Sequence, residues 1–249
     1  MGEILYGRNV ARECLRGRHR HIHRVMIADK LEQAAIIEEI LGLCRQLTVP
    51  VQRIPRKKLS NLAKGHQGVV LEVGSYPTVA VEDILAVAEK QAEPPFLVAL
   101  DHIEDPHNLG AIIRTAEAVG VHGVLLPKRR SVGITAAVVS ASAGATEQML
   151  VAEVANLTQT LRKLKQAGVW QVGLEKTAEA TAYHQTDLSG PIALVVGSEG
   201  KGLSRLVKET CDFLVELPMR GQIESLNASV ACGLMLYEVW RAREFRGMR

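Results

Sequence analysis

The sequence lacks any apolar run long enough to cross a membrane. Its richest stretch, Ile192 to Val196, has the length of a β-strand, whereas a membrane helix needs about 20 apolar residues. The N-terminal stretch MGEILYGRNV carries Glu3 early and lacks the charged-then-apolar pattern of a secretion signal. We therefore expect a protein of the cytoplasm that does not enter a membrane.

Cysteine is scarce as well, with four residues in 249 and no Cys-x-x-Cys spacing. This scatter argues against a disulfide framework and indicates reduced thiols. The nearest approach to a metal motif is the alternation His19, His21 and His23, which would line one face of a strand. No fourth ligand lies at a recognised spacing. We predict no metal site, with zinc at this face as the alternative.

Repeats and low-complexity tracts are absent, and 47% of the residues are hydrophobic, which is ample for a core.

Charge is unevenly distributed along the chain. Residues 1–76 hold 13 Lys and Arg against 7 Asp and Glu, whereas the remainder holds 17 against 20. A basic first part indicates a polyanionic partner, although solvated surface is the alternative for any single charge. The candidate contacts come from two basic clusters: Arg18, Arg20, Arg56, Lys57 and Lys58.

The stretch from Phe96 to Pro127 predicts a strand, a helix and a second strand. Asp105 and Pro106 provide a helix N-cap and a proline at the first helical position, and Gly120 closes the helix. Such a βαβ unit requires a parallel sheet. Within it, Asn108-x-Gly110-x-x-x-Arg114 places polar groups at the carboxyl end of a strand, where open α/β sheets bind ligands.

Alternating helices and strands continue along the whole chain. They predict a parallel, helix-covered sheet of about six strands after a smaller α/β region. Ser75–Pro77 and Glu93–Pro95 punctuate the stretch between the two regions. We therefore expect a first domain at 1–76, a linker at 77–95 and a second domain at 96–249.

Two further stretches complete a pattern. They are Gly197-Ser-Glu-Gly200, after a predicted strand, and Leu217-Pro-Met, followed by Ser225-Leu-Asn-x-Ser229. With the Asn108 motif, these stretches resemble the SpoU, or TrmH-type, branch of the SPOUT RNA methyltransferases. The resemblance covers essentially the whole chain. It is greatest to the members that methylate a guanosine of 23S ribosomal RNA.

The resemblance implies a fold, a cofactor and partners. It implies a small ribosomal-protein-like RNA-binding domain followed by a parallel-sheet domain with a trefoil knot, which periodicity could not have revealed. It also implies a homodimer that transfers methyl from S-adenosylmethionine to a ribose 2′-hydroxyl, with RNA and not DNA as partner. The final helix, predicted from about Ser225 to Arg243, would lie near the knot and the dimer interface.

The resemblance also assigns residues. The donor would be held by Gly197, Leu217, Met219 and Leu226, and the catalytic group would be Arg114, Asn108, Glu199, Ser225 and Asn227. A guanidinium stays protonated in proteins, so we expect Arg114 to grip phosphate and stabilise a developing alkoxide. The alternatives are a surface ion pair of Arg114 with Glu117, and for Ser225 a helix N-cap.

Other functions make different demands on the sequence. A nicotinamide-dependent dehydrogenase needs Gly-x-Gly-x-x-Gly after a strand, and Gly197-x-x-Gly200-x-Gly202 has the wrong spacing. A non-catalytic RNA-binding protein on the same fold would be expected to lose Arg114, Asn108 or the Ser-Leu-Asn triplet, which this chain keeps. A transfer RNA ribose methyltransferase remains an alternative, because the two kinds of enzyme share these motifs.

Overall fold

The structure is a computed structural model that describes residues 2–32, 34–223 and 225–248. It divides into two units. The first unit comprises the residues up to Pro77 together with Ile134–Gln148, and the second comprises Thr78–Gly133 and the residues from Met149 onward. The predicted domains 1–76, 77–95 and 96–249 therefore stay a prediction. The observed division differs from it by assigning 134–148 to the first unit and by continuing the second unit back through the expected linker.

The described elements alternate along the chain as the sequence pattern predicts. In the first half these are β1 (Glu3–Tyr6), α1 (Arg8–Gly17), β2 (Ile22–Ala28), α2 (Ala35–Gln46), β3 (Val51–Ile54), α3 (Arg56–Leu62), β4 (Val69–Val73), α4 (Val81–Gln91), β5 (Phe96–Asp101), α5 (Pro106–Ala118) and β6 (Gly123–Pro127). In the second half these are α6 (Ala136–Ala141), a 3₁₀ turn (Ala145–Gln148), β7 (Val151–Val154), α7 (Leu157–Gln166), β8 (Trp170–Leu174), β9 (Thr181–Ala182), a second 3₁₀ turn (Tyr183–Gln185), β10 (Ile192–Gly197), α8 (Arg205–Thr210), β11 (Phe213–Glu216) and α9 (Ala228–Ala242).

The first unit is built on a four-stranded sheet in the order β1-β4-β2-β3. Strand β4 is antiparallel to β1 and β2, and β3 is parallel to β2. One face of α1 is buried in the core of this unit, which also contains Val139 of α6. The segment 134–148 therefore contributes to the same core as the first 77 residues.

Two glycines allow α1 to approach this segment closely. A Cβ at Gly17 would lie 1.8 Å from the carbonyl oxygen of Glu147, and one at Gly144 would lie 2.9 Å from Cβ of Glu13. No larger residue fits at Gly17 without moving the backbone. Gln148 strengthens the contact, because its Nε2 donates to the carbonyl oxygen of Glu13 at 3.2 Å.

The second unit contains a seven-stranded sheet in the order β7-β6-β5-β10-β8-β11-β9. Every neighbouring pair in it is parallel. The central strands β5 and β10 are buried along their full length, as expected for a sheet covered on both faces. The prediction of an α/β fold with a parallel sheet is confirmed, and the strand beyond the expected six is the two-residue β9.

Helix α5 forms where the sequence predicts it. The Asp105 side chain accepts a hydrogen bond from the backbone N–H of His107 at 2.8 Å, and Pro106 occupies the first turn. Gly120, just beyond the helix, has a φ of 76°, a left-handed conformation that glycine adopts without strain. These caps fix the entry of α5 at the carboxyl end of β5.

The last helix begins later than predicted. Helix α9 starts at Ala228, and its N-cap is Asn227, whose Oδ1 accepts from the backbone N–H groups of Ser229 and Val230. Ser225 therefore lies in the preceding loop and does not cap the helix. The predicted start was wrong because serine and asparagine are equally good N-caps, so the residue types alone do not distinguish them.

Within the described ranges, no helix is long and apolar enough to cross a membrane. In the same part of the chain, no group of three His, Cys, Asp or Glu side chains is placed to hold a metal ion. Cys14, Cys44, Cys211 and Cys232 are all free thiols. Burial raises the pKa of Cys44 to about 11 and that of Cys232 to about 12, so these thiols stay protonated and unreactive.

Candidate active site

A cleft of about 450 Å³ opens in the second unit at the carboxyl ends of β8, β10 and β11. This volume is within the range of small-molecule sites, roughly 300–1000 Å³. Strand ends and the loops that follow them supply the walls: Leu174, Glu175, Lys176, Val196, Gly197, Ser198, Glu199, Gly200, Gly202, Glu216, Leu217, Met219, Ser225, Leu226, Ala228 and Ala231. The cleft thus lies where open parallel sheets bind their ligands.

The glycine-rich turn after β10 forms one side of the cleft. The N–H of Gly202 donates to the carbonyl oxygen of Ser198 at 2.9 Å, which folds the turn back on the strand. A Cβ at Gly197 would lie 2.2 Å from the backbone of Gly202, so this close approach requires glycine. Gly200 and Gly202 adopt φ values of 75° and 62°. Each glycine therefore has a geometric reason, and together they bring backbone groups to the cleft surface.

One carboxylate oxygen joins the three sequence motifs. Oε1 of Glu199 accepts from Nδ2 of Asn108 at 3.2 Å, from the backbone N–H of Ala228 at 3.1 Å, and from Nδ2 of Asn227. Asn227 also donates to Oδ1 of Asn108 at 2.9 Å. These residues lie far apart in the sequence, and the fold brings their side chains into direct contact.

The orientation of the Asn227 amide follows from its role as a helix cap. Its Oδ1 accepts from the backbone N–H groups of Ser229 and Val230 and from the Ser229 hydroxyl at 2.6 Å. The Nδ2 group must then face Glu199 and Asn108. The cap of α9 thereby fixes the polar network at the mouth of the cleft, and the network leaves little freedom for Glu199.

Arg114 lies two turns into α5, on its exposed side. In the part of the chain that the structure describes, it makes no ion pair within 4.0 Å, so the alternative pairing with Glu117 is not present. Helix α5 packs against α9, where Gly233 lies beside Thr115. The guanidinium is thus free to meet an anionic ligand on this face.

The predicted donor-binding residues and Ser225 all line the cleft. Leu217, Met219 and Leu226 line it together with Gly197, as does Ser225 from the loop before α9. The structure brings together the predicted donor contacts with Glu199, whose carboxylate joins Asn108 and Asn227. Their individual roles remain predictions.

Sequence reasoning missed several polar residues around the cleft. Glu175, Lys176 and Glu216 line it, and Asp101 ends β5 beside it in the sheet register, paired with Gly197. Glu175 comes directly after β8, and Glu216 ends β11. Position at the carboxyl end of a predicted parallel strand was the signal that could have found Asp101, Glu175 and Glu216.

The predicted polyanion contacts divide into two groups. Arg18, Arg56, Lys57 and Lys58 are exposed on the first unit, the last three in the first turn of α3. Arg20 is different, because its side chain is 0% exposed and lies 2.6 Å from a Glu3 carboxylate oxygen. The prediction that Arg20 contacts a phosphate on the surface is corrected by this burial.

Arg20 instead sits in a buried ionic cluster. Its Nη2 lies 3.0 Å from Oε1 of Glu147, whose side chain is also 0% exposed, and its Cζ lies 5.0 Å from the ring centre of Tyr76. Burial raises the pKa of Glu147, and the Arg20 charge opposes that rise. The Tyr76 hydroxyl donates to the carbonyl oxygen of Thr146 at 3.1 Å. The cluster therefore joins the first 77 residues to the segment 134–148 within the first unit.

Comparisons with known proteins assign the family. The model of the SpoU rRNA methylase family matches residues 95–237, and the model of the RNA 2′-O ribose methyltransferase substrate-binding domain matches residues 4–79. The chain belongs to the SpoU methylase family. It is therefore an S-adenosylmethionine-dependent methyltransferase with an RNA partner.

The relatives of this SpoU methylase extend over its full length. It is 45% identical over 97% of its length, and 96% of the relative's, to a Bacillus subtilis protein named as a TrmH family tRNA/rRNA methyltransferase. A solved structure of an S-adenosylmethionine-bound rRNA methyltransferase from Sinorhizobium meliloti matches with a TM-score of 0.78 and 26% identity, covering 96% of this chain and 87% of that one. The methyltransferase AviRb from Streptomyces viridochromogenes, solved with its cofactor, shares the fold at a TM-score of 0.80 and 22% identity, over 97% and 90% of the two chains.

The residues of the cleft fit the donor of this SpoU methylase. Gly197 lines the cleft from the glycine-rich turn, and Leu217, Met219 and Leu226 offer apolar surface suited to an adenine ring. Glu216 adds negative charge suited to a sulfonium or an ammonium group. Both the shape and the charge of the cleft therefore agree with S-adenosylmethionine.

Proposed function

We propose that this methyltransferase transfers a methyl group from S-adenosylmethionine to the ribose 2′-hydroxyl of a guanosine in 23S ribosomal RNA. The observation that carries the proposal is the contact of Glu199 with Asn108 and Asn227, which unites three separate motifs at the mouth of the cleft. The finer choice of 23S ribosomal RNA rests on the sequence resemblance described above.

The donor site in this proposal is the cleft itself. Gly197 brings backbone groups to the adenosine, and Leu217, Met219 and Leu226 enclose its base. S-adenosylmethionine supplies a methyl group on a sulfonium: the S–CH3 bond breaks as the O–CH3 bond forms in line with it, S-adenosylhomocysteine leaves, and the hydroxyl proton passes to solvent. The protein therefore has to fix the geometry of approach, which can contribute several kcal/mol to lowering the barrier.

Arg114 acts on the acceptor. It grips the phosphate of the target nucleotide with two N–H groups and stabilises the negative charge that develops on the 2′-oxygen. Because a guanidinium keeps its proton, this electrostatic role is physically easier than that of a general base. Asn108, Glu199, Ser225 and Asn227 hold the acceptor and the loops in position around it.

The first unit holds the RNA. The match of residues 4–79 to a substrate-binding model supports this assignment, as do the exposed cations Arg18, Arg56, Lys57 and Lys58. Phosphate contacts of this kind supply most of the non-specific affinity of nucleic-acid-binding proteins. The resemblance to the family further leads us to propose that this unit is ribosomal-protein-like and that the second unit contains a trefoil knot.

We also propose a homodimer in the cytoplasm. Along α9, Val230, Leu234 and Tyr237 follow one another at helical spacing, and each is about half exposed, at 51%, 52% and 49%. This apolar stripe supports association with a second copy through α9. Sedimentation of the wild type and of Leu234→Glu tests it, since a monomeric wild type would overturn the proposal.

Transfer of a labelled methyl group tests the function. Purified protein with labelled S-adenosylmethionine should label a 23S ribosomal RNA transcript, and Glu199→Gln should lower the rate roughly 10- to 100-fold, as expected for loss of charge-assisted hydrogen bonds. A set of transfer RNAs serves as the matched substrate. Labelling of transfer RNA alone would favour the alternative that the relatives' name tRNA/rRNA methyltransferase leaves open.

A further inference from the structure

Two carboxylates outside the predicted motifs accept hydrogen bonds from the last residues of the glycine-rich turn, Leu203 and Ser204. The N–H of Leu203 donates to Oε2 of Glu175 at 2.8 Å, and the next N–H, that of Ser204, donates to Oδ2 of Asp101 at 2.7 Å. Strand β10, which leads into the turn, lies between β5 and β8 in the sheet. The carboxylates come from the ends of those two flanking strands, so they hold the turn from both sides.

Glu175 is fitted closely to the turn. A Cβ at Gly202 would lie 2.3 Å from its Oε2, so glycine at this position makes room for the carboxylate. The other oxygen, Oε1, lies 3.4 Å from Nζ of Lys208 in α8. The Glu175 side chain is 14% exposed and lines the cleft. Glu175 thus touches both the turn and the cleft.

Asp101 repeats this arrangement on the other side. Its side chain is 3% exposed, and its second oxygen, Oδ1, lies 2.6 Å from Nδ1 of His102. His102 has a φ of 62°, an uncommon conformation for a residue with a side chain, which places its ring beside the carboxylate. Each carboxylate therefore uses one oxygen for the turn and the other for a neighbouring nitrogen.

We propose that Asp101 and Glu175 are positioning residues that hold the Gly197–Ser204 turn in its donor-binding conformation. The turn carries Gly197 and Glu199, so its exit geometry sets the shape of the cleft and the reach of the Glu199 carboxylate. Fixing two consecutive N–H groups before the donor arrives means that less ordering is needed on binding. The inference rests on the proposed placement of S-adenosylmethionine in this cleft.

The Glu175 position offers the cleanest variants for a test. Glu175→Ala removes the acceptor for the Leu203 N–H, whereas Glu175→Gln keeps a carbonyl oxygen of the same reach. Lys208→Met is the matched control, because it removes the other partner of Glu175 and leaves the hydrogen bond to the turn. Donor affinity by calorimetry, RNA affinity and thermal unfolding are measured for the full-length protein, together with kcat and KM for the donor.

The expected result is a split between the variants. A charge-assisted hydrogen bond is worth about 1.5–3 kcal/mol, so Glu175→Ala should weaken donor binding roughly 10- to 100-fold. Glu175→Gln keeps a neutral acceptor, so it should recover part of this loss, whereas Lys208→Met should stay within about threefold of the wild type. RNA affinity should not change. Asp101→Ala should weaken donor binding in the same way, with partial rescue in Asp101→Asn.

Two results would overturn the inference. Donor binding by Glu175→Ala within threefold of the wild type would show that the turn holds its shape without the carboxylate. An equal loss in Glu175→Gln would show that the charge acts on the donor directly. The variant Leu226→Trp, whose larger side chain fills the cleft, tests the donor site separately. If this variant binds the donor normally, the donor lies outside the cleft and the proposed site itself is wrong.

Discussion

At the scale of single residues, the same side-chain type serves opposite purposes in this molecule. Arg114 is exposed and has no ion-pair partner among the described residues, whereas Arg20 is enclosed by Glu3, Glu147 and Tyr76. The first arrangement leaves a guanidinium available to a ligand. In the second, the guanidinium pairs with Glu3 and with the buried carboxylate of Glu147. This difference makes separate predictions for the two arginines.

Replacing Arg114 should affect turnover and not donor binding. Arg114→Lys keeps the charge but loses the planar pair of N–H groups, so methyl transfer should fall by orders of magnitude. Calorimetry with S-adenosylmethionine should give the wild-type affinity, because the arginine is assigned to the acceptor. Glu117→Gln, on the next turn of the same helix, is the control and should be fully active. Near-normal turnover in Arg114→Lys would remove Arg114 from the proposed mechanism.

Replacing Arg20 should affect stability and not RNA binding. Arg20→Met leaves Glu147 buried without a partner, and removal of one member of a buried ion pair costs roughly 3–5 kcal/mol. Urea unfolding should show this loss. The RNA affinity of the folded variant, measured without denaturant, should match the wild type. A variant with wild-type stability and weakened RNA binding would instead show that Arg20 contributes to RNA binding.

At the scale of elements, the sequence predicted helix bounds best where capping residues and hydrophobic periodicity agree. Helix α5 has Asp105, Pro106 and Gly120 at the expected places, and its bounds followed from them. The start of α9 did not follow, because Ser225 and Asn227 are both acceptable caps; the structure uses Asn227, whose amide also contacts Glu199. Local capping residues therefore predict that a helix exists and, where a single cap is available, where it begins. They do not predict a start that depends on contacts with residues distant in the sequence.

The connection between α5 and β6 contains a pH-sensitive hydrogen bond. Nδ1 of His122 accepts from the backbone N–H of Phe96 at 3.0 Å, and burial lowers the pKa of the ring. A lowered pKa of a base means that the unfolded chain binds more protons. Stability is therefore full above the unfolded value of about 6.5 and is lost as pH falls below it.

We expect the free energy of unfolding to fall between about pH 7.5 and 5.5, partly because of His122. In His122→Asn, the dependence on pH over this window should be shallower than in the wild type, whatever the absolute stability of the variant. Denaturant unfolding at several pH values measures both slopes. Equal slopes in the two proteins would show that His122 is not responsible.

At the scale of the whole molecule, the packing of the segment 134–148 is a feature that the sequence pattern did not show. The segment 134–148 follows β6 in the second unit, yet it packs with the first 77 residues through Gly17, Gly144 and the Arg20–Glu147 pair. Close packing of this kind depends on residues far apart in the chain, so periodicity could not show it. A cut near residue 76 would remove the partners of this segment.

Charge reversal is therefore a better test of RNA binding than truncation. Arg56, Lys57 and Lys58 are exposed on α3, so their replacement by Glu should leave the fold intact. RNA affinity should fall, and the slope of log affinity against log salt should become shallower by about 0.7–0.9 for each phosphate that the variant no longer neutralises. Donor binding should not change. An unchanged slope would mean that α3 is not part of the RNA-binding face.

The proposed reaction, methylation of a ribose 2′-hydroxyl of a guanosine in 23S ribosomal RNA, leaves a product that can be detected in cells. The most direct measurement maps alkali-resistant linkages in 23S ribosomal RNA from cells with and without the gene for this chain. A 2′-O-methyl group protects its linkage from alkali, so one protected guanosine should disappear with the gene and return with the wild type, but not with Arg114→Ala. An unchanged pattern in 23S ribosomal RNA, with a lost 2′-O-methyl group in transfer RNA, would contradict the proposed reaction.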